Sequence, residues 1–315
     1  MAFSATIDKT GIFPVITLKD EGNICEAVVY SFGALLNAFS VETAYGKTNV
    51  IDGFTSPQNA VENITNGFKS AKLSPFVCRM NDGKYSFNEA DYTIDKFYLG
   101  SSAIHGLLFD AAFTVKNAGA DEKNAFVTLE YIYSKKEEGF PFAFSMQVNY
   151  VLSSNNTLTL TTTVINTGES SMPLSDGWHP YFCLGNTVNN LQVAFNSKKI
   201  VEFNDQLIPS GKMLHYTEFN SFKVFGDTFL DNCFTADGTE IIHCTIKDTT
   251  SGLQLDILPD ASYPYLQIYT PPHRKSIAIE NLSSVPDAFN NGIGLIVAKP
   301  GEVCSFTTCY QLSLL

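Results

Sequence analysis

The chain has 315 residues, 44% hydrophobic and only 17% charged, which provides apolar material for a large core and excludes a disordered polymer. Its net charge of −12, from 20 basic and 32 acidic residues, sets an average field that repels a phosphate backbone, so nucleic acid is not an expected partner. The apolar runs fall far short of the roughly 20 residues that cross a bilayer, so no membrane partner is expected either.

In chain order, the first periodic segment is helical. Ser56-Pro57 is a start signal, and Val61, Ile64 and Phe68 follow at helical spacing, which predicts a helix from Ser56 to Gly67. Thereafter the period is two. Tyr85 and Phe87, the turn Asn88-Glu89-Ala90 and the segment Asp91 to Ile94 read as a hairpin. Phe126 to Tyr133 is a strand closed by the polar turn Lys135 to Gly139. From Phe142 to Leu152 the residues Phe142, Phe144, Met146, Val148, Tyr150 and Leu152 share one face. Ser153-Ser154-Asn155-Asn156 then turns the chain into a second strand, Thr157 to Asn166. His243 to Lys247 and Leu253 to Ile257 repeat the pattern around Asp248 to Gly252. Tyr265 to Thr270, Ile277 to Ile279, Gly294 to Ala298 and Cys304 to Leu312 complete the set. No linker rich in Pro, Gly or Ser interrupts it, and the expectation is an all-β antiparallel sandwich spanning residues 1–315 as one domain.

Seven cysteines, Cys25, Cys78, Cys183, Cys233, Cys244, Cys304 and Cys309, are widely spaced, odd in number and without a CxxC pair. They read as free thiols in a reducing compartment. The first residues, MAFSATIDKTGIFPVITLKD, have no basic segment followed by an apolar one, so no signal peptide is expected and a cytoplasmic location is. The sequons at Asn63, Asn155 and Asn281 are at the number chance supplies.

Five histidines occur. His105, in Ala103-Ile104-His105-Gly106-Leu107, and His179, in Gly177-Trp178-His179-Pro180-Tyr181, sit between apolar residues and next to Gly or Pro. A lone histidine so placed is more often a packed core or loop residue than a catalyst. His215, His243 and His273 read as surface or structural. Glu280 closes the apolar run Ile277-Ala278-Ile279, where a carboxylate is costly unless it is paired or used. Asp231, between Leu230 and Asn232-Cys233-Phe234, reads alone as a turn or cap residue. Arg79 follows Phe76-Val77-Cys78 and needs a partner, for which a structural ion pair is the plain reading. HExxH, HxH and HxxxH are absent, so neither metal nor cofactor is expected. GxGxxG, GxxxxGK[ST] and GxSxG are absent too, which leaves nucleotide sites and serine triads unsupported.

In combination these segments resemble the aldose 1-epimerase (galactose mutarotase) family. Gly33-Ala34-Leu35-Leu36 resembles its N-terminal glycine-containing strand, and Pro75-Phe76 through Arg79 to Gly83 its arginine segment. Ile104-His105-Gly106-Leu107 and His179-Pro180-Tyr181-Phe182 resemble its two histidine motifs. Leu230-Asp231, then Gln267-Ile268-Tyr269-Thr270, Ile277-Ala278-Ile279-Glu280, Pro286 to Asn290 and Pro300-Gly301-Glu302 follow in the family's order. The resemblance covers nearly the whole chain and implies a large antiparallel β-supersandwich. It also implies Glu280 as catalytic base and His179 as catalytic acid, with Arg79, His105, Asp231 and Gln267 binding a monosaccharide, an aldohexose.

Anomer interconversion needs one base and one acid and no cofactor. At neutral pH an ordinary glutamate is ionised and a histidine can carry a proton, so the pair is chemically apt. Trp178 and Phe76 are candidates for stacking on the sugar, although core packing is the commoner fate. Three alternatives stay open: a hexose-6-phosphate epimerase, a non-catalytic carbohydrate-binding protein on the same fold, and a glycoside hydrolase using Asp231 and Glu280. The basic turn Pro271-Pro272-His273-Arg274-Lys275 is expected in solvent, a sugar phosphate being its other reading.

Overall fold

A computed structural model describes residues 3–22 and 25–315. Strands dominate, and all the named strands pair antiparallel. An N-terminal meander of five strands, Phe3–Asp8, Val15–Asp20, Cys25–Tyr30, Leu36–Thr43 and Gly46–Asn49, pairs in sequence order. A nine-stranded sheet has the order Thr114–Ala120, Asn124–Tyr133, Phe144–Ser153, Thr157–Asn166, Val303–Leu314, Leu253–Pro259, Cys244–Asp248, Gln192–Phe195 and Lys223–Val224. An eight-stranded sheet runs Pro209–His215, Lys199–Phe203, Asp231–Thr235, Tyr265–Tyr269, Ile277–Leu282, Gly177–His179 and Ala71–Leu73, with Tyr181–Phe182 joined to the Ile277–Leu282 strand.

The alternation read from the sequence is the alternation of burial. Along Phe144–Ser153 the side chains of Phe144, Met146, Val148, Tyr150 and Leu152 are all buried, and their neighbours are not. This strand pairs with Thr157–Asn166 from Phe144 opposite Asn166 to Ser153 opposite Thr157. Asn155 and Asn156 take positive φ in the turn, a conformation asparagine tolerates. The C-terminal strand Val303–Leu314 lies between Thr157–Asn166 and Leu253–Pro259, so the end of the chain closes the middle of the large sheet.

Two local expectations are revised. The helix covers only Pro57–Asn63; Ser56 caps it, its hydroxyl accepting from the Asn59 amide, but Val61 faces solvent while Ala60, Ile64 and Phe68 are buried. Gly33 and Ala34 form a positive-φ turn between Cys25–Tyr30 and Leu36–Thr43, so only Leu36 of the expected segment is in a strand. Trp178 and Phe76 are core residues: Trp178 lies under the Lys72 ammonium, and Phe76 packs edge-on against Phe289. All seven cysteines are free thiols, four of them buried. Asn281 is buried and accepts from the Thr308 hydroxyl, so it is no surface glycosylation acceptor. Among the described residues no helix is long and apolar enough to cross a membrane.

Candidate active site

Glu280 lies in Ile277–Leu282, a strand buried along its whole length and flanked on both sides, so its backbone has little freedom to move. Gln267 is its cross-strand neighbour on Tyr265–Tyr269, and cross-strand neighbours share a face. His179 ends the adjacent strand Gly177–His179, where its carbonyl accepts from the Ser70 amide and its pairing with Ala71 holds the backbone. These strands approach closely at Gly177, where a Cβ would lie 2.5 Å from Leu282 Cδ2 and 3.1 Å from the Asn281 carbonyl oxygen. His179 Nε2 is 3.3 Å from Glu280 Oε1, with both residues almost fully buried.

The second histidine is set by backbone conformation. His105 takes φ 64°, its amide donates to the Cys78 carbonyl at 2.8 Å, and the following Gly106 passes so close to Ser74 that a Cβ would meet Ser74 O at 2.4 Å. This left-handed corner turns the His105 ring edge-on to His179, with centroids 4.9 Å apart, while Phe68 packs behind it. Tyr181 stacks on His179. Arg79, on a two-residue strand paired with Ser102–Ile104, donates to the Leu99 carbonyl at 3.3 Å; among the described residues its recorded partner is this carbonyl rather than the carboxylate of a structural ion pair. Asp231 begins Asp231–Thr235 and accepts from Gln267 Nε2 at 2.9 Å. Arg79, His105, His179, Asp231, Gln267 and Glu280 therefore line one cleft of about 380 Å³, near the lower end of the roughly 300–1,000 Å³ usual for small-molecule sites.

Burial revises the ionisation expected from ordinary values. It pushes the Glu280 carboxyl well above the usual glutamate range, and Asp231 pushes in the same direction. Burial pulls His179 down to about 4, and it lowers His105 strongly, aided by His179 and Arg79. Asp231 is raised by burial, against the opposing pull of Arg79 and Gln267. Burial thus drives the His179–Glu280 pair toward carboxylic acid and neutral imidazole. Among the described residues no cluster of three or more His, Cys, Asp or Glu is arranged to hold a metal ion.

Two features escaped the sequence reading. Cys78 lines the cleft and its thiol donates to Glu280 Oε2 at 4.0 Å; its only sequence signal was adjacency to Arg79. Beneath the site, Lys72 and Asp176 form a fully buried ion pair at 2.5 Å, with Tyr263 donating to the same carboxylate oxygen. A lysine inside Ala71-Lys72-Leu73 and an acid before Gly177 were the available hints. The basic turn lies outside the cleft lining. Arg274 is not free in solvent but ties that turn to Asn189 and to the carbonyls of Gly226 and Thr228, while His215, His243 and His273 are exposed.

Residues 14–311 match the sequence model of the family described as Aldose 1-epimerase. The chain belongs to the aldose 1-epimerase family. One curated relative, the uncharacterized protein YihR of Escherichia coli K12, is 25% identical over 241 residues, 73% of this chain and 74% of its own. The fold is that of solved family structures. A galactose mutarotase-like protein from Clostridium acetobutylicum superposes with a TM-score of 0.86 at 19% identity, covering 99% of each chain. A galactose 1-epimerase from Lactobacillus acidophilus superposes with a TM-score of 0.82 at 16% identity, covering 98% of this chain and 96% of its own. This aldose 1-epimerase family member thus has the β-supersandwich implied by its motifs.

Proposed function

We propose that the protein is a mutarotase that interconverts the α and β anomers of an unphosphorylated aldose, with Glu280 and His179 moving the protons. The observation that carries this reading is the 3.3 Å contact between His179 Nε2 and Glu280 Oε1 inside a sugar-sized cleft. Opening a pyranose breaks the C1–O5 bond, removes the proton on O1 and delivers one to O5. The C1 aldehyde rotates about C1–C2, and closure on its other face reverses both transfers.

Ring opening in this direction starts from the charged pair, glutamate and imidazolium. Once Glu280 takes the O1 proton and His179 gives its own to O5, the pair is uncharged. Burial favours that uncharged pair before the sugar binds as well as after the ring opens, so the charged pair lies uphill of the resting site, and this reading requires hydrogen bonds from the bound sugar hydroxyls to hold it. Arg79, His105, Asp231 and Gln267 bind and orient the sugar hydroxyls in this reading.

A free sugar fits better than a sugar phosphate. Among the described residues lining the cleft, Arg79 is the one lysine or arginine, set against Asp231 and Glu280. A phosphate dianion buried there would face two carboxyl groups with a single guanidinium to balance them. A glycoside hydrolase using Asp231 and Glu280 fits less well, because it leaves the contact of His179 with Glu280 without a role. The test is saturation-transfer NMR over a panel of free aldohexoses and their 6-phosphates. The expected result is faster exchange between the anomeric signals of free sugars alone; exchange confined to the 6-phosphates would reverse the substrate assignment.

A further inference from the structure

We infer that Cys78 is a positioning residue for the reaction: its thiol holds the Glu280 carboxyl by the oxygen that His179 leaves free, and its backbone holds His105. This rests on the function proposed above. Glu280 Oε1 faces His179 Nε2 at 3.3 Å, and Oε2 accepts from the Cys78 thiol at 4.0 Å. With one partner on each oxygen, the plane of the carboxyl is fixed. Among the described residues no other side-chain hydrogen bond to this carboxyl is recorded. The Cys78 carbonyl accepts from the His105 amide at 2.8 Å, so one residue ties the second histidine to the base. Cys78 is buried, lines the cleft and directly precedes Arg79. It takes φ 48°, a left-handed conformation common for Gly and Asn and uncommon for cysteine. Such a conformation costs free energy and persists only where its surroundings enforce it, as they do at active sites.

The proton transfers give this thiol a use. The reaction needs Glu280 charged, and burial opposes the charge. A hydrogen bond to a carboxylate favours its charged form. The thiol is a weak donor, so it supports the carboxylate while leaving most of the basicity that must take the O1 proton. The titratable groups facing Glu280 come from four places. They are His179 on Gly177–His179, Tyr181 on Tyr181–Phe182, Asp231 and Cys233 on Asp231–Thr235, and Cys78 ahead of Arg79. The adjoining strand Tyr265–Tyr269 presents Gln267 opposite Glu280, a side chain that does not titrate. Asp231 opposes the charge, and burial keeps Tyr181 and Cys233 protonated. Besides His179, Cys78 is the group of this set that donates to the carboxyl.

The test measures anomeric exchange against pH for the wild type, Cys78→Ala and Cys78→Asn. The working pair, glutamate and imidazolium, carries one proton, so the alkaline limb of kcat/KM reports loss of that proton and follows the higher-titrating member, Glu280. Cys78→Ala should lower kcat about three- to tenfold with KM nearly unchanged, and should move the alkaline limb to higher pH. Asn suits the left-handed backbone and brings a stronger N–H donor. Cys78→Asn should therefore recover most of the rate and move the limb below its wild-type position, and it keeps the test open if Cys78→Ala fails to fold. In the infrared, the S–H stretch that disappears in Cys78→Asn should lie below the frequency of a thiol without a partner. An unmoved limb in the variants, a loss confined to KM, or an S–H band at the unpartnered frequency would overturn the role of Cys78 and leave the proposed function standing. Absence of exchange by the wild type with every aldose would overturn the proposed function itself.

Discussion

His179 and Glu280 are shifted in opposite directions by one cause, the removal of water from both, and this makes opposing demands on stability. A histidine held near pH 4 when folded binds its proton near 6.5 when unfolded. Between those values the unfolded chain holds more protons, so the His179 contribution is present above about pH 6.5 and is lost as pH falls toward about 4. The shift corresponds to about 3 kcal/mol for this fully buried ring. Glu280 has the reverse sign: its raised value makes stability fall as pH rises above the ordinary glutamate range. The two overlap, so the histidine contribution is read in a Glu280→Gln background. There, urea unfolding from pH 7 to pH 4 should show a loss of stability that is much smaller when His179→Asn is added. At this scale Glu280 was legible because an acid ends an apolar run, and the two histidines because Gly or Pro adjoins them. Cys78 and the unusual protonation were not legible, since both depend on neighbours distant in sequence: Cys78 and Glu280 are 202 positions apart.

At the scale of elements, strict alternation made the long strands readable. Thr157–Asn166 was read to the residue because inward and outward positions alternate strictly, with Leu158, Leu160 and Val164 inward beside Thr162 and the hydrogen-bonded Asn166. Val15–Asp20 was not read, for its inward positions are Ile16, Leu18 and Asp20, and the third breaks the apolar pattern. The short helix was readable at its Ser56 cap but not at its end, because Val61 fits the helical spacing and yet lies on the outer face. The strands that carry His179 and Ala71 share a buried charge pair that no pattern announced. Burial pulls Lys72 down to about 8 and raises Asp176, each against the other's attraction. Lys72→Met leaves Asp176 buried without its cation and should cost about 3–5 kcal/mol in chemical denaturation. Adding Asp176→Asn should recover much of that loss, because the remaining penalty is that of the unpaired charge. A single substitution with no measurable effect on the midpoint would show that the pair is not held dry.

At the scale of the molecule, the all-β class followed from alternation alone, whereas the meeting of Arg79, His105, His179, Asp231, Gln267 and Glu280 followed only from family resemblance. Periodicity tells which face of a strand is buried, but not which strands become neighbours. The order of the eight-stranded sheet, which places Gly177–His179 beside Ile277–Leu282, is set by packing across a hundred residues of intervening chain. The C-terminal strand illustrates the same point. Val303–Leu314 pairs on both edges and buries Phe306, Tyr310 and Leu312. Ending the chain at Glu302 would leave one edge of Thr157–Asn166 and one edge of Leu253–Pro259 unpaired in the middle of the nine-stranded sheet. The truncated protein should lose its cooperative unfolding transition in calorimetry; a sharp transition near that of the full chain would contradict this placement.

The proton-transfer pair is tested most directly by the rate of exchange between the α and β anomeric proton signals of the best aldose, measured for wild type, Glu280→Gln, His179→Asn and the double variant with chelator present. Each single substitution should lower the rate by about 10²-fold or more. The double variant should be far less than multiplicatively worse, because groups that act as a unit are not additive. Full exchange in Glu280→Gln would contradict the assignment of the base, and loss of wild-type exchange on adding chelator would contradict a reaction carried by these two side chains alone.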